Sequence, residues 1–148
     1  SYNVENVLET ISPSMDIQIA SNFERLIFDL NNHSDKKTID VMKSIKEKGK
    51  YEIQKENLDK INVDFLSSRM DETEVLNTIK TVYEKFDKVL DPHSAIGYGA
   101  FDKVDLKGNN IVLATAHPCK FPGAIEKAIN IKAEYLNKSI LEYSTFFL

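Results

Sequence analysis

The chain has 148 residues, of which 42% are hydrophobic and 28% charged, and its 19 basic and 23 acidic side chains give a formal net charge of −4. Its length corresponds to one domain, and its composition is that of a globular protein rather than a disordered segment. The mild acidity argues against a nucleic-acid-binding protein, because such proteins are normally basic or carry a concentrated basic stripe. No apolar run approaches the roughly 18 residues that a membrane helix needs, so we expect neither nucleic acid nor a membrane as a partner.

The N-terminal residues and the cysteine content indicate a compartment. The first residues have neither the basic start nor the apolar stretch of a secretory signal. Cys119 is the single cysteine of the sequence, which excludes an intramolecular disulfide and suits a reducing environment. We therefore expect a soluble, cytoplasmic protein.

Three helices are predicted in the first third of the chain. Residues 4–11 carry apolar side chains at helical spacing, up to a break at Pro13. Residues 21–24, Ser-Asn-Phe-Glu, form a capping box that begins a helix of about three turns. Residues 35–48 form a third helix, which ends at Gly49. The side chains expected to face inward in this third helix are Ile39, Met42 and Ile45.

The middle of the chain is predicted to combine short segments with one long helix. Residues 51–53 predict a short strand, residues 55–60 a helical turn, and residues 63–70 are compatible with a strand. Asp71 begins the clearest helix of the chain, because apolar side chains then recur every three or four residues. The stripe expected to face inward consists of Val75, Ile79, Val82 and Phe86.

Asp91 and Pro92 begin a helix that is rich in small residues. Aspartate is favoured at the N-cap, and proline is favoured at the first helical position. Gly97 and Gly99 then lie inside the helix, where each costs roughly 1 kcal/mol relative to alanine. A helix with that cost usually has a backbone or a ligand close against it, and we expect one here.

The last predicted elements are a strand, a polar loop and a helix. Residues 111–114, Ile-Val-Leu-Ala, are apolar throughout and predict a buried strand of a parallel sheet. The loop at residues 115–118 leads into a helix from about Gly123 to Ile129. Open α/β sheets place ligands beyond the carboxyl ends of their strands. Spacing alone therefore predicts an α/β domain with a candidate site near residues 115–117.

None of the three histidines has metal-ligand spacing to another. His33 lies in a polar loop, where a solvated side chain is expected. His93 and His117 each adjoin a proline at an element boundary, where a histidine is more often a hydrogen-bonding support than a catalytic base. His117 and Cys119 would together suggest a thiol nucleophile. Two residues this close on a loop seldom aim both side chains at each other, so a structural cysteine is expected.

Four strings resemble motifs of the threonine synthase family, in the family's order. Residues 12–17 (Ser-Pro-Ser-Met-Asp-Ile) and 21–26 (Ser-Asn-Phe-Glu-Arg-Leu) are similar to the segment in which Ser-Pro-x-Met-Asp-Ile precedes Ser-Asn-Phe-Glu-Arg. Residues 91–97 (Asp-Pro-His-Ser-Ala-Ile-Gly) resemble the family's Asp-Pro-His-Thr-Ala-Val-Gly helix start. Residues 114–121 (Ala-Thr-Ala-His-Pro-Cys-Lys-Phe) are similar to its Thr-Ala-His-Pro-Ala-Lys-Phe loop.

The resemblance covers only a C-terminal part of the enzyme. The family-like core is residues 8–129 approximately, and residues 130–148 are a divergent tail without the family's proline-rich close. Threonine synthases are pyridoxal-phosphate enzymes of the tryptophan-synthase-β-like fold (fold type II). The resemblance therefore implies a helix-rich α/β part of that fold with a short, mostly parallel sheet. It also implies that the Schiff-base lysine and a Ser-Gly-Asn-Phe-Gly loop lie upstream, so that this chain is a fragment, carries no catalytic residue and is inactive alone.

The implied reaction of the whole enzyme converts O-phospho-L-homoserine and water to L-threonine and phosphate, with pyridoxal 5'-phosphate as the electron sink. Thr115 matches the threonine that hydrogen-bonds the pyridine nitrogen in the family; a hydroxyl there, unlike a carboxylate, is not expected to hold that nitrogen protonated. Ala116, His117 and His93 are its expected pocket neighbours, and Arg25 is a candidate for the substrate phosphate or for a structural ion pair. The motif residues without an assigned role are Ser14, Asp16 and Asn22.

Two other interpretations stay open. The chain would also suit a truncated, non-catalytic paralogue that binds a metabolite or a partner protein, or a different enzyme of the same pyridoxal-phosphate fold. Upstream sequence with a lysine motif would favour the enzyme. An excised part of a two-domain enzyme exposes apolar surface that its N-terminal portion would cover, so we expect that portion as a partner and self-association without it.

Overall fold

The structure, a computed structural model, describes residues 2–131 of the chain. Within this range the chain divides into two compact units. The first comprises residues 2–9 and 16–66, and the second comprises residues 10–15 and 67–131. Each unit has its own buried apolar cluster, so each is described by itself.

The first unit consists of three helices and a minimal sheet. Helix α1 spans Ser21–Leu30, α2 spans Asp35–Lys48 and α3 spans Lys55–Asp64. Strands β1 (Tyr2–Asn3) and β2 (Lys50–Tyr51) pair in antiparallel register. The buried cluster that α1 and α2 share consists of Ile27, Val41 and Ile45.

Helix α2 has the predicted boundaries, and of its predicted inward residues Ile45 is buried and Met42 packs against the buried cluster, whereas Ile39 does not. The Ser34 side chain accepts a hydrogen bond from the backbone N–H of Lys37, and Gly49 ends the helix at φ 69°, in the left-handed region that glycine adopts readily. The buried face follows Thr38, Val41 and Ile45. Ile39 is 49% exposed, so the prediction that it faces inward is wrong.

The start of the chain departs from the prediction in two places. Residues 4–11 do not form a helix, because the chain continues from β1 and the backbone N–H of Val4 donates to the carbonyl oxygen of Gly49 at 2.7 Å. The capping box predicted at residues 21–24 is also absent. Ala20, in extended conformation, is the N-cap of α1, so Ser21 is already helical and no side chain caps the helix.

The second unit packs three helices together. Helix α4 (Glu72–Phe86) contacts both α5 (Pro92–Gly99) and α6 (Pro122–Ile129). The predicted starts of α4 and α5 are confirmed: in a reciprocal capping box, Asp71 accepts from the backbone of Glu74 while the Glu74 side chain accepts from the backbone of Asp71, each at 2.8 Å. The buried cluster that the three helices enclose consists of Val75, Ile79, Ala95 and Ile125.

Two short-range predictions in the middle of the chain are wrong. Residues 63–70 are not a strand, since α3 continues to Asp64 and the remainder has no regular structure. Phe86 does not complete the inward stripe of α4 and is 56% exposed, because it is the last residue of that helix.

Residues 111–114 do not form the predicted buried strand. Ile111 is 86% and Leu113 is 76% exposed, and the sheet within residues 2–131 is the antiparallel β1–β2 pair rather than a mostly parallel one. A strand exists only through hydrogen bonds to a neighbouring strand, and no described segment lies in that position. The apolar sequence is thus present without the partner that would bury it.

The glycines of α5 have close neighbours, as expected, but these are side chains. A Cβ at Gly99 would lie 2.5 Å from Met70 Sδ and 3.1 Å from Thr78 Oγ1, whereas one at Gly97 would lie 3.4 Å from Val112 Cγ1. Gly99 therefore lets α5 approach α4 closely. Within residues 2–131, no helix has the length and apolar character needed to cross a membrane.

We expect Gly97→Ala to stabilise the chain and Gly99→Ala not to. Alanine at position 97 makes an ordinary contact and recovers up to about 1 kcal/mol of helix propensity. At position 99 the same methyl group would require the flexible end of Met70 to move and would lie 3.1 Å from Thr78 Oγ1, which is tighter than an ordinary contact and offsets the gain. Urea unfolding of the two variants measures both effects, and an equal gain at the two positions would contradict the close packing.

Candidate functional site

Asp91 is the centre of a buried polar cluster at the start of α5. The residue is 1% exposed, and both carboxylate oxygens accept hydrogen bonds. Oδ1 accepts from the backbone N–H of His93 at 3.0 Å and from the ring Nδ1 of His93 at 2.8 Å. Oδ2 accepts from the backbone N–H of Ser94 at 3.3 Å and from the Ser94 hydroxyl in a very short bond. Four donors therefore replace the water that a buried carboxylate loses.

These donors decide the charge of Asp91. Burial by itself raises the pKa of the carboxyl group, but the hydrogen bonds from the Ser94 hydroxyl, the His93 ring and the two backbone N–H groups outweigh it. The pKa of Asp91 consequently lies below its ordinary value. The cluster contains a carboxylate that is charged at neutral pH.

His93 is held at both ring nitrogens. Nδ1 faces Asp91, and Nε2 accepts from the backbone N–H of Ser14 at 3.1 Å. A backbone N–H can only donate, so Nε2 carries the lone pair and Nδ1 carries the proton of a neutral ring. The ring is 5% exposed and packs on the Phe121 ring at a centroid distance of 4.8 Å. This geometry is that of a hydrogen-bonding support, because neither nitrogen is available to exchange a proton.

Ser94 connects α5 to Thr115. The Ser94 hydroxyl oxygen accepts from the backbone N–H of Thr115 at 3.0 Å, and the two side-chain oxygens lie 3.3 Å apart. Thr115 itself is exposed. Its backbone is therefore fixed while its side chain remains accessible to a ligand.

The loop after Thr115 is shaped by local bonds. His117 is exposed, and its Nδ1 accepts from the backbone N–H of Cys119 at 3.3 Å, which caps a short 3-10 turn over Pro118–Lys120. Ala116 is half-buried. Burial raises the pKa of the Cys119 thiol, which disfavours the thiolate that a nucleophile needs. The expectation of a structural cysteine is consistent with this environment.

Arg25 belongs to the first unit, whereas Thr115, His117 and His93 belong to the second. One guanidinium nitrogen of Arg25 donates to Asn22 Oδ1 at 3.3 Å on the exposed side of α1. Arg25 also lines a cavity of about 300 Å³ at the start of that helix. The other lining residues are Ser21, Glu24, Phe28 and Thr38.

Sequence reasoning missed Asp91 and Ser94 as members of the site and gave Ser14 no role. The Asp-Pro pair did predict the helix cap. The signal for the rest is weak, because Ser14 and His93 are 79 positions apart and Ser94 and Thr115 are 21 positions apart. Within residues 2–131, no group of three or more histidine, cysteine or acidic side chains is arranged to hold a metal ion.

Comparison with known proteins gives consistent matches. The family model described as "Threonine synthase, C-terminal" matches residues 94–142. The threonine synthase of Pseudomonas aeruginosa is 36% identical over 129 residues, which are 86% of this chain and 28% of that protein. The threonine synthase of Saccharomyces cerevisiae is 35% identical over an alignment of 149 positions that covers 88% of this chain and 29% of that protein. A human protein named threonine synthase-like 1 is 31% identical over 125 residues, covering 84% of this chain and 17% of the relative.

The fold matches as well. The crystal structure of a pyridoxal-phosphate-bound threonine synthase from Brucella melitensis superimposes with a TM-score of 0.81 at 40% identity, over 88% of this chain and 28% of that one. The helix-rich α/β class expected from the sequence is confirmed by this similarity. The chain spans less than a third of the length of the curated relatives that it matches.

Proposed function

We propose, on the premise that this chain corresponds to a C-terminal part of threonine synthases, that it forms one side of the pocket of a pyridoxal-phosphate-dependent lyase. The reaction proposed for the whole enzyme converts O-phospho-L-homoserine and water to L-threonine and phosphate. The proposed setting is the cytoplasm. The chain is proposed to be a fragment that is inactive alone, with the remainder of the enzyme supplying the lysine that binds the cofactor.

The observation that carries the proposal is the anchoring of Thr115 by Ser94. Thr115 begins the string that resembles the family's Thr-Ala-His-Pro loop, and its backbone is held while its hydroxyl is exposed. The Thr115 hydroxyl suits a pyridine nitrogen, because a hydroxyl can donate a hydrogen bond to an unprotonated nitrogen or accept one from a protonated nitrogen. When bound, pyridoxal phosphate supplies an electron sink for the carbon from which a proton is removed.

The other predicted pocket residues have supporting roles in this proposal. His93 holds the first turn of α5 and the segment at Ser14 together, and it moves no proton because both ring nitrogens are engaged. His117 orders the turn after Thr115, and Ala116 leaves room beside it. The groups that transfer protons to and from the substrate and the cofactor are therefore proposed to lie outside this chain.

Arg25 is proposed to bind the substrate phosphate. Among residues 2–131 no side chain caps the start of α1, and a helix N-terminus attracts anions. Ser21 and Arg25 line the same cavity as this helix start. Asn22 holds the guanidinium in place, which reduces the entropy lost when an anion binds.

Replacing Arg25 with alanine is expected to raise the KM of the assembled enzyme for O-phospho-L-homoserine by roughly 10- to 100-fold, with a smaller change in kcat. A hydrogen bond to a charged group contributes about 1.5–3 kcal/mol, which corresponds to that range. Arg25→Lys keeps the charge but not the paired donors and should give an intermediate KM. An unchanged KM in Arg25→Ala would leave Arg25 with a structural role.

The proposed partner is the N-terminal portion of the same enzyme. Ile111 and Leu113 are exposed, and within residues 2–131 no strand lies beside their segment. A neighbouring strand from the rest of the enzyme would pair this backbone and bury both side chains. Without that portion, the same apolar surface favours self-association.

Reconstitution tests the proposal. Mixing this chain with the N-terminal portion of its enzyme should produce pyridoxal-phosphate absorbance characteristic of a protein-bound cofactor and release of phosphate from O-phospho-L-homoserine. The chain alone is the control and should do neither. A folded mixture that binds no cofactor would overturn the proposal.

A non-catalytic paralogue is the second candidate, supported by the similarity to threonine synthase-like 1. In that case the mixture would bind a metabolite or a partner but release no phosphate. Phosphate release therefore separates the two candidates directly.

A further inference from the structure

A second polar cavity lies in the first unit and shares no lining residue with the cavity at Arg25. Its volume is about 280 Å³, and its walls come from the end of α1, from α2, from β2 and from the start of α3. Ligand pockets commonly measure roughly 300–1,000 Å³, so this one suits a small metabolite. Val41, which is buried, provides its apolar floor. The polar side chains that line it are Asn31, Lys37, Asp40, Tyr51, Gln54 and Asn57.

The polar side chains of this cavity have no protein partners. Within residues 2–131, none of the six makes a side-chain hydrogen bond or an ion pair. Asn31 Nδ2 is in addition a buried atom, although the residue as a whole is only half-buried. Buried polar atoms of native proteins nearly always have a partner, so a buried amide without one at a cavity wall indicates a group that enters the cavity.

Two opposite charges lie side by side at the cavity. Lys37 and Asp40 are three positions apart on α2, and residues at that spacing are neighbours on a helix surface, with Cβ atoms about 5–6 Å apart. Within residues 2–131 the two do not pair with each other or with another side chain. Both charged groups of a free α-amino acid are attached to one carbon atom. Its carboxylate can therefore approach Lys37 while its ammonium group approaches Asp40.

The start of α3 adds a second attraction for the carboxylate. Gln54 is the N-cap of this ten-residue helix and Asn57 lies in its first turn, and both line the cavity. Among residues 2–131 no side chain caps the helix, whose N-terminal end favours negative charge. The two amide side chains each offer donors and an acceptor, which suit an uncharged polar group rather than a further charge.

We propose that this cavity binds a free α-amino acid with a small, uncharged polar side chain. Lys37 binds the carboxylate, Asp40 binds the ammonium group, and the amides of Asn31, Gln54 and Asn57 bind the polar side chain. The cavity uses none of the residues assigned to the reaction and needs no cofactor. The inference therefore stands apart from the proposed function.

L-asparagine is the probe for the first experiment. The complete enzyme that contains this chain is labelled with ¹⁵N in its asparagine side chains, and unlabelled L-asparagine is titrated while the amide signals are followed by NMR. The signals of Asn31 and Asn57, assigned with Asn31→Ala and Asn57→Ala, should shift along one saturable curve. Unchanged signals at millimolar L-asparagine would overturn the inference, while phosphate release from O-phospho-L-homoserine would still test the proposed function.

Three analogues of the probe test the chemical class of the ligand. L-leucine has nearly the shape of L-asparagine but no amide, so it should bind about 10-fold more weakly or less. N-acetyl-L-asparagine lacks the ammonium group and L-asparagine methyl ester lacks the carboxylate, so neither should produce the shifts. Equal binding of L-leucine would overturn the preference for a polar side chain. The same shifts with N-acetyl-L-asparagine or with inorganic phosphate would indicate a plain anion site and overturn the proposal.

Charge variants of α2 test the two ionic contacts. Lys37→Gln and Asp40→Asn should each raise the Kd for L-asparagine by about 10-fold or more, because each removes a charge-assisted hydrogen bond. Both side chains are exposed, so both variants are expected to fold. Lys46→Gln and Asp35→Asn remove the same charges from exposed positions of the same helix outside the cavity and should leave Kd unchanged. Equal effects at the lining and the matched positions would overturn the proposal.

Asn31→Ala separates binding from a structural role. Because Asn31 Nδ2 has no partner within residues 2–131, its removal should not lower the stability of the ligand-free protein in urea unfolding. A ligand that binds only the folded state stabilises it, so L-asparagine should raise the urea midpoint of the wild type and raise that of Asn31→Ala much less. A ligand-free variant that is less stable but gains as much from L-asparagine as the wild type would show that the amide serves the fold, and it would overturn the assignment.

Discussion

Asp91→Ala is expected to destabilise the second unit by about 3–5 kcal/mol, because a single side chain provides a helix cap and pairs buried donors. Loss of an N-cap costs about 1 kcal/mol, and each buried donor without a partner costs about 1–3 kcal/mol. Alanine would leave the His93 ring N–H and the backbone N–H groups of His93 and Ser94 without their acceptor. Such a loss is a large part of the 5–15 kcal/mol that typically stabilises a domain.

Urea unfolding followed by circular dichroism measures this change. Asp91→Asn retains an N-cap and an acceptor oxygen, so its loss of stability should be less than half of that in Asp91→Ala. Asp35→Ala, on the exposed first turn of α2, is the matched control and should change stability by less than about 0.5 kcal/mol. A loss of stability below about 1 kcal/mol in Asp91→Ala would contradict this expectation, because it would mean that the buried donors cost little when their acceptor is removed.

The same carboxylate should make stability depend on acidic pH. Its pKa is lowered in the folded chain, so the folded state releases this proton more readily than the unfolded state, whose aspartate pKa is about 3.9. The contribution is therefore fully present above that value and is lost as pH falls through the lower folded-state pKa. Glu74, whose pKa is lowered by the Lys103 ammonium, acts in the same direction.

Comparing unfolding curves of the wild type and Asp91→Asn between about pH 2 and 6 isolates this contribution, because both proteins contain Glu74. The stability difference between them should shrink as pH falls. A difference that stays constant across this range would mean that Asp91 does not titrate during acid unfolding.

Features that depend on neighbouring residues in the sequence could be predicted. The helix start at Asp71, the Asp91 cap and the helix end at Gly49 are all local, and each forms where expected. The capping box predicted at Ser21 did not form, because the helix begins one residue earlier than that motif indicates. A motif thus marks the region of a helix start but not the residue that caps it.

Features that depend on distant partners could not be predicted. Ile39 has the spacing of an inward residue, but the packing of α2 selects the face of Val41 instead. Residues 111–114 have the composition of a strand, but no described strand accompanies them. The site follows the same rule. The contact between Ser14 and His93 is set by tertiary structure, although both residues were singled out by their motifs.

Thr115→Val is expected to weaken both cofactor binding and phosphate release in the reconstituted enzyme, by about 10- to 100-fold in kcat/KM. Valine has nearly the shape of threonine, so the change removes the hydrogen-bonding partner of the ring nitrogen, and a buried acceptor left without its partner costs about 1–3 kcal/mol. Replacing the hydroxyl also removes the contact between the two side-chain oxygens of Ser94 and Thr115, although the backbone N–H of Thr115 still holds the loop.

Thr115→Ser is the matched control, because it preserves the hydroxyl and should retain most of the activity. Titration of pyridoxal phosphate by absorbance separates an effect on cofactor affinity from an effect on the reaction. Val112→Ala, a half-buried position that contacts Gly97 on α5, controls for packing of the same segment and should change kcat/KM by much less than Thr115→Val. If Thr115→Val and Thr115→Ser were equally active, the hydroxyl would have no role toward the ring nitrogen, and the anchoring by Ser94 would serve only to hold the loop in place.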